Sequence, residues 1–338
     1  MHREYAPTVK VHIGIGLKNH KKVMTMKTKK LNISYKKTCS CPDNHINCLT
    51  AKEWVKSQVA IQEFLPDKRD IGIQAGSQTM VPESDIWEFF YEKRDVRDKN
   101  IHPAVFPIAL PAHCIKLFTH KGELVLDPFV GIGTTLIAAQ DLDRNAAGFD
   151  LKKEYVDFAN KRLKQNTSNE TKQIAIFDDA HNIPQYLEEE TVKLCVTSPP
   201  YANMLNKPRL NKSMRGDLRN NQHYQKVQQY SADQRDLGTM NHEGYAKNLT
   251  EIYKGILPLM KPKAHCVVNV NDVWWNNRRY PTHIYVVEAL QNVGFELRNI
   301  LVWDKRNLVN RVGIFGWPNN YIKLGATFEY ILDFWRPQ

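Results

Sequence analysis

The stretch LVLDPFVGIGTTLIAAQDL, residues 124–142, decides the fold. It opens on a short apolar run that stops at Asp127, the signature of a strand buried on both faces. Pro128, Gly131 and Gly133 punctuate a turn, and apolar residues then resume at helical spacing over 134–142. The pattern repeats outward. A strand at 146–149 ends at Asp150, and a helix follows at 153–163. Further strands are expected at 174–177, 193–196, 265–270 and 300–303, with helices at 244–260 and 282–292. A closing strand at 329–334 fits beside 300–303. This alternation predicts the α/β class: a Rossmann-like, mostly parallel seven-stranded sheet with helices on both faces.

In such sheets ligands sit beyond the carboxyl ends of the strands, and that rule selects residues. The first strand runs into Asp127-Pro128-Phe129-Val130-Gly131-Ile132-Gly133-Thr134-Thr135. Its glycines allow close backbone approach to a ligand, and the following helix offers free amides. No lysine follows, so it is not a phosphate-binding Walker loop. Leu136 stands where a dinucleotide fingerprint needs its third glycine. The second strand ends at Asp150, where a carboxylate can accept both hydroxyls of a ribose; the third runs into Asp178-Asp179-Ala180. The fourth ends Thr197-Ser198-Pro199-Pro200-Tyr201. Two prolines stop that strand and stiffen the corner. Ser198 and the Pro199 carbonyl can accept hydrogen bonds from an amino group, and Tyr201 offers a ring to stack on its heterocycle.

DPFVGIGTT at 127–135 and TSPPY at 197–201, preceded by HPAVFP at 102–107, resemble the amino-group DNA methyltransferases. The ordered match runs over roughly residues 98–337, and the Ser-initial loop resembles the cytosine-N4 enzymes most. The resemblance implies S-adenosyl-L-methionine as cofactor. Asp127, Pro128, Phe129, Gly131, Gly133, Thr134 and Thr135 would form its loop, Asp150 would bind the ribose, and Asp179 with Ala180 the adenine. Pro103 and Phe106 would close over the methionine end. Ser198, Pro199, Pro200 and Tyr201 would form the catalytic loop. The implied reaction is methylation of cytosine N4 in duplex DNA by base flipping. Adenine N6 is the neighbouring alternative, RNA or small-molecule amines are more distant ones, and a decayed DNA-binding protein is a reading of another class.

The flanks complete the organisation: a basic tail at 1–38, an extension at 39–100 and a catalytic domain at 101–338. The chain carries 47 Lys+Arg against 36 Asp+Glu, a net +11, of which residues 1–38 supply +9. That bias suits a polyanion or a solvated arm. In the extension, Thr50 and Glu53 form a capping-box pattern ahead of Trp54, Val55, Val59 and Phe64, and Trp87, Phe89, Phe90 and Tyr91 form an aromatic patch. Only about sixty residues separate the two loops, so DNA recognition falls to an insertion at 202–240. Lys207, Arg209, Lys212, Arg215 and Arg219 stand there among Asn and Gln, with Arg306 and Arg311 as a second group. The expected partners are double-stranded DNA and a cognate restriction endonuclease.

Cys114, Cys195 and Cys266 lie in apolar runs and read as core residues of a reducing compartment. No 18-residue apolar run occurs, so the expectation is a cytoplasmic, nucleoid-associated protein of a bacterium or phage. Cys39, Cys41, His45 and Cys48 are the remaining cluster; their spacing lacks paired C-x2-C elements, and no metal is expected there.

Overall fold

The computed structural model describes residues 29–42, 45–50, 53, 86–89, 106–164, 170–202, 233–275, 278–305, 314–315, 323–324 and 328–338. The strands are β1 Ile86–Glu88, β2 Leu124–Asp127, β3 Asn145–Asp150, β4 Gln173–Phe177, β5 Val192–Thr197 and β6 Met260–Val270. They continue with β7 Val273–Trp275, β8 Arg278–Tyr280, β9 Glu296–Asp304, β10 Ile314–Phe315, β11 Lys323–Leu324 and β12 Phe328–Trp335. The helices are α1 Ala109–Phe118, α2 Thr134–Asp141, α3 Lys153–Lys164, α4 His242–Ile256 and α5 Thr282–Val293.

One eight-stranded sheet runs β1-β9-β12-β6-β5-β2-β3-β4, and β7/β8 and β10/β11 form two small ribbons. The seven strands read from the sequence are all in this sheet. The eighth, β1, comes from the extension and pairs in parallel with β9, while Phe89 packs edge-on against Trp303 at 6.1 Å. β12 is antiparallel to both neighbours, β9 and β6. It therefore enters the sheet from the carboxyl edge of the parallel strands.

Alternation within the strands feeds two cores. Leu124, Leu126, Ala147, Phe149, Cys195 and Cys266 face one side, under α4 and α5. Val125, Ala146, Leu194, Val196 and Val267 face the other, under α1, α2 and α3. Burial on both faces is why these strands read as continuous apolar runs. α4 starts where the Asn241 side chain accepts from the Gly244 amide at 2.8 Å, and α5 stops at Gly294 with φ +115°. Cys114, Cys195 and Cys266 are buried in these cores as expected.

The end of the basic tail differs from a loose arm. Residues 29–42 run along the catalytic domain: the Leu31 amide donates to the Tyr186 carbonyl, Lys29 pairs with Asp178, and Leu31 and Ile33 pack on the core. Thr38 donates to the Lys121 carbonyl at 2.8 Å. The Thr50–Glu53 capping box is formed, with the Thr50 amide 2.8 Å from Glu53 Oε2 and the Glu53 amide 3.3 Å from Thr50 Oγ1. Trp54, Val55, Val59, Phe64, Phe90 and Tyr91 lie outside the described residues. No helix among the described residues is long and apolar enough to cross a membrane.

Candidate active site

The carboxyl ends of β2, β3, β4 and β5 bring the sequence-selected residues together. Asp127 is 1% exposed. Its Oδ2 accepts from Thr135 Oγ1 at 2.5 Å, and its Oδ1 accepts from Thr197 Oγ1 at 2.5 Å and from the Phe129 amide at 3.1 Å. Burial pushes its carboxyl up to about 6, against the pull of those donors. Thr135 is fully buried and Thr134 nearly so. Asp127 and Thr135 face each other inside the turn, where the buried carboxylate uses its lone pairs on nearby donors. They brace the loop that carries Gly131 and Gly133.

That loop turns through positive φ at Gly131 (50°) and Gly133 (86°). A Cβ on Gly133 would stand 2.8 Å from Ala159 Cβ, so the glycine lets α3 approach the turn. Gly131 donates its amide to Asp150 Oδ2 at 3.0 Å, and Lys152 donates to Oδ1 at 2.8 Å. Each oxygen keeps a second lone pair, and Asp150 is partly exposed. Burial raises its pKa to about 7 despite both amides, with Asp236 and Asp127 adding repulsion. Pro128 is buried and Phe129 partly so.

The paired acids after β4 have different duties. Asp178 accepts from Tyr186, Asn182, Lys29 and the Asp179 amide. Burial would raise it, but these donors outweigh that and hold it at about 2. Asp179 caps the 3₁₀ turn Ala180–Gln185 through the His181 amide, and Arg235 lies 3.6 Å away. Ala180 is buried.

Four further groups at this edge were not picked out from the sequence. Phe177, the register partner of Asp150, leaves its ring 54% exposed. Asp236, 5% exposed, caps the turn Leu237–Thr239 beside Asp150. Glu329 and Asn269 lie near the TSPPY corner: the Tyr201 hydroxyl is 3.5 Å from Glu329 Oε2, which accepts from Asn269 Nδ2 at 2.7 Å. Lys305 pairs with the other Glu329 oxygen. For Glu329 the sequence signal was an acid one residue into a largely apolar strand, β12, which also carries Asp333.

Ser198 is partly exposed and its Oγ lies 3.5 Å from the Tyr201 hydroxyl. Pro199 is buried, Pro200 partly so, and Tyr201 is 7% exposed. Expected as a stacking platform, Tyr201 shows far less than a ring face here, because its hydroxyl is drawn in towards Glu329. Phe106 packs on the α1–α3 face. Pro103, Lys207, Arg209, Lys212, Arg215, Arg219, Arg306 and Arg311 lie outside the described residues.

The chain is 38% identical over 80 residues to the type II methyltransferase M.HpaI of Haemophilus parainfluenzae, covering 24% of this chain and 26% of that one. It is 44% identical over 69 residues to M.BglI of Bacillus subtilis, covering 20% of each. These matched stretches span about a quarter or less of the relatives' own length. Among solved structures, TrmN from Thermus thermophilus aligns at 17% identity and a TM-score of 0.43, over 72% of this chain and 53% of that one. The profile of the N6/N4 family described as DNA methylase matches residues 9–161 and 192–338, which is most of the sequence. The chain therefore belongs to the N6/N4 DNA methylase family, whose methyl donor is S-adenosyl-L-methionine.

Proposed function

We propose that this protein methylates the exocyclic N4 of a cytosine flipped out of duplex DNA at a specific short site, as the modification arm of a restriction–modification system. One observation carries the reading: Thr197 Oγ1 is bonded to Asp127 Oδ1, so the TSPPY corner is fastened to the glycine turn. Amine acceptors and cofactor loop thus share one edge of the sheet.

Bound S-adenosyl-L-methionine supplies an electrophilic methyl group on a sulfonium. Asp150 keeps acceptor capacity for ribose hydroxyls, Phe177 offers a wall for the adenine, and the turn at Gly131 admits close backbone approach. Ser198 Oγ and the Pro199 carbonyl accept the two amino hydrogens of the target base. That favours a pyramidal nitrogen whose lone pair, otherwise delocalised into the ring, is free for in-line attack. The amino proton leaves to solvent after transfer. Extruding the base costs roughly a few kcal/mol. Lys207, Arg209, Lys212, Arg215, Arg219, Arg306 and Arg311 supply cations for the duplex backbone that repay it. Stacking by Tyr201 requires the loop to swing when DNA binds.

Incubation with duplex DNA and methyl-labelled cofactor, followed by digestion to nucleosides and mass spectrometry, tests this. N4-methylcytosine is expected. N6-methyladenine alone overturns the cytosine assignment while keeping the enzyme class, and no label in DNA overturns the activity.

A further inference from the structure

Three half-buried thiols and one buried imidazole meet at the amino end of β2, where methyl transfer has no use for them. The side-chain ligand atoms of Cys39, Cys41, Cys48 and His120 all lie within 4.8 Å of one another. His45, the histidine nearest these cysteines in sequence, is exposed and contributes only its backbone carbonyl. That carbonyl receives His120 Nε2 at 2.6 Å. A carbonyl cannot donate, so Nε2 carries a proton, and in the neutral ring Nδ1 keeps its lone pair. His120 is 3% exposed, and its Nδ1 sits 3.5 Å from both Cys39 Sγ and Cys48 Sγ.

One lone pair cannot satisfy two thiols at equal distance, whereas an ion between them uses all four groups. With Zn–S about 2.3 Å and Zn–N about 2.05 Å, a tetrahedral site has an S···N edge of about 3.5 Å. The surroundings fit. The Lys121 amide donates to Cys48 Sγ at 3.3 Å, and Lys37 Nζ donates to the Cys41 carbonyl at 2.6 Å. Three thiolates and a divalent ion sum to one negative charge, which those donors offset.

We propose that Cys39, Cys41, Cys48 and His120 form a structural zinc site that staples the amino-terminal strap, residues 29–42 and 45–50, to the turn between α1 and β2. Three thiol protons leave to solvent as the ion binds, and no group changes oxidation state. The four ligands close the shell, so the ion takes no substrate. The strap is already seated for it: Asn47 Nδ2 donates to the Leu117 carbonyl at 2.7 Å. Gly122, with φ +80°, lacks a Cβ where the Lys36 carbonyl passes, 2.6 Å from where that atom would be. Asp127 stands at the other end of β2, roughly 10 Å of strand away, so the ion acts on stability rather than on transfer.

The full chain, purified without chelators or a metal-affinity tag, should hold about one zinc per molecule by plasma mass spectrometry. His120→Ala and Cys41→Ser should lower this at least tenfold, and His45→Ala should retain it, since its carbonyl remains. If the ligand variants do not fold, cobalt exchange into the unmodified chain still decides. Intense visible bands of tetrahedral cobalt with a thiolate charge-transfer band support the site. Zinc below a tenth of an equivalent, a six-coordinate cobalt spectrum, or a metal-free chain with a Cys39–Cys48 disulfide would overturn it.

Discussion

Thr197 Oγ1 and Asp127 Oδ1 stand 2.5 Å apart although seventy residues separate them in the chain. The bond ties the end of β5 to the end of β2, and it leads to the first prediction. Thr197→Val deletes a donor to a buried carboxylate and should cost about 1–3 kcal/mol in urea denaturation. It should lower kcat more than it raises the KM for cofactor, and Thr197→Ser should restore both.

Asp150 sets a pH dependence. Burial lifts its pKa from the ordinary 3.8 to about 7 in the free protein. A value raised by folding means the protonated form suits the fold, so its contribution to stability is full below about pH 4 and is lost as pH rises to about 7. Cofactor binding runs the other way, because ribose hydroxyls donate to the charged carboxylate. Affinity should rise with pH up to about 7, then level, falling towards about tenfold per unit below it. Calorimetry across that range should show proton release, and Asp150→Asn should bind weakly with a flat profile. A flat profile in the unsubstituted protein rejects the assignment.

Gly133→Ala places a Cβ 2.8 Å from Ala159 Cβ at a φ of +86°. The left-handed backbone alone costs about 1–2 kcal/mol, with the clash in addition. Adding Ala159→Gly should relieve the clash and leave the backbone cost, so the double variant should recover part of the lost stability.

Phe177 is over half exposed, so Phe177→Ala should change stability by less than about 0.5 kcal/mol. If the ring walls the adenine, cofactor affinity should weaken roughly five-fold, readable by fluorescence titration or calorimetry. Unchanged affinity would remove it from the site.

Tyr201→Phe keeps the ring and removes the hydroxyl that faces Ser198 and Glu329. Folding stability should stay within about 1 kcal/mol and cofactor affinity should hold, while kcat falls. Loss of cofactor affinity instead would assign Tyr201 to the donor side.

The centre of the sheet was legible because β2, β3 and β5 are buried on both faces and stop at an acid or just before a proline pair. β3, for instance, was placed within a residue at its start and closed on Asp150 as expected. The stop of β5 at Thr197 was legible because Pro199 and Pro200 end the strand. What stayed hidden depends on strand order. Glu329 reaches Tyr201 only because β12 lies between β9 and β6, and nothing local to residue 329 says so. His120 replaces His45 beside the cysteines because the strap crosses the turn after α1. The lysines of residues 29–38 read as contacts for a polyanion or as a solvated arm, yet Lys29 and Lys30 pair with Asp178 and Glu188 on the folded body.

The position of β12 also orders events during synthesis. Both of its neighbours leave the ribosome first and must wait with unsatisfied edges, and Glu329 arrives only with the intervening strand. A nascent chain could build the glycine turn early, but the contact between Tyr201 and Glu329 would form only once β12 is in place. The waiting edges of β6 and β9 are the places where a stalled chain would pair wrongly.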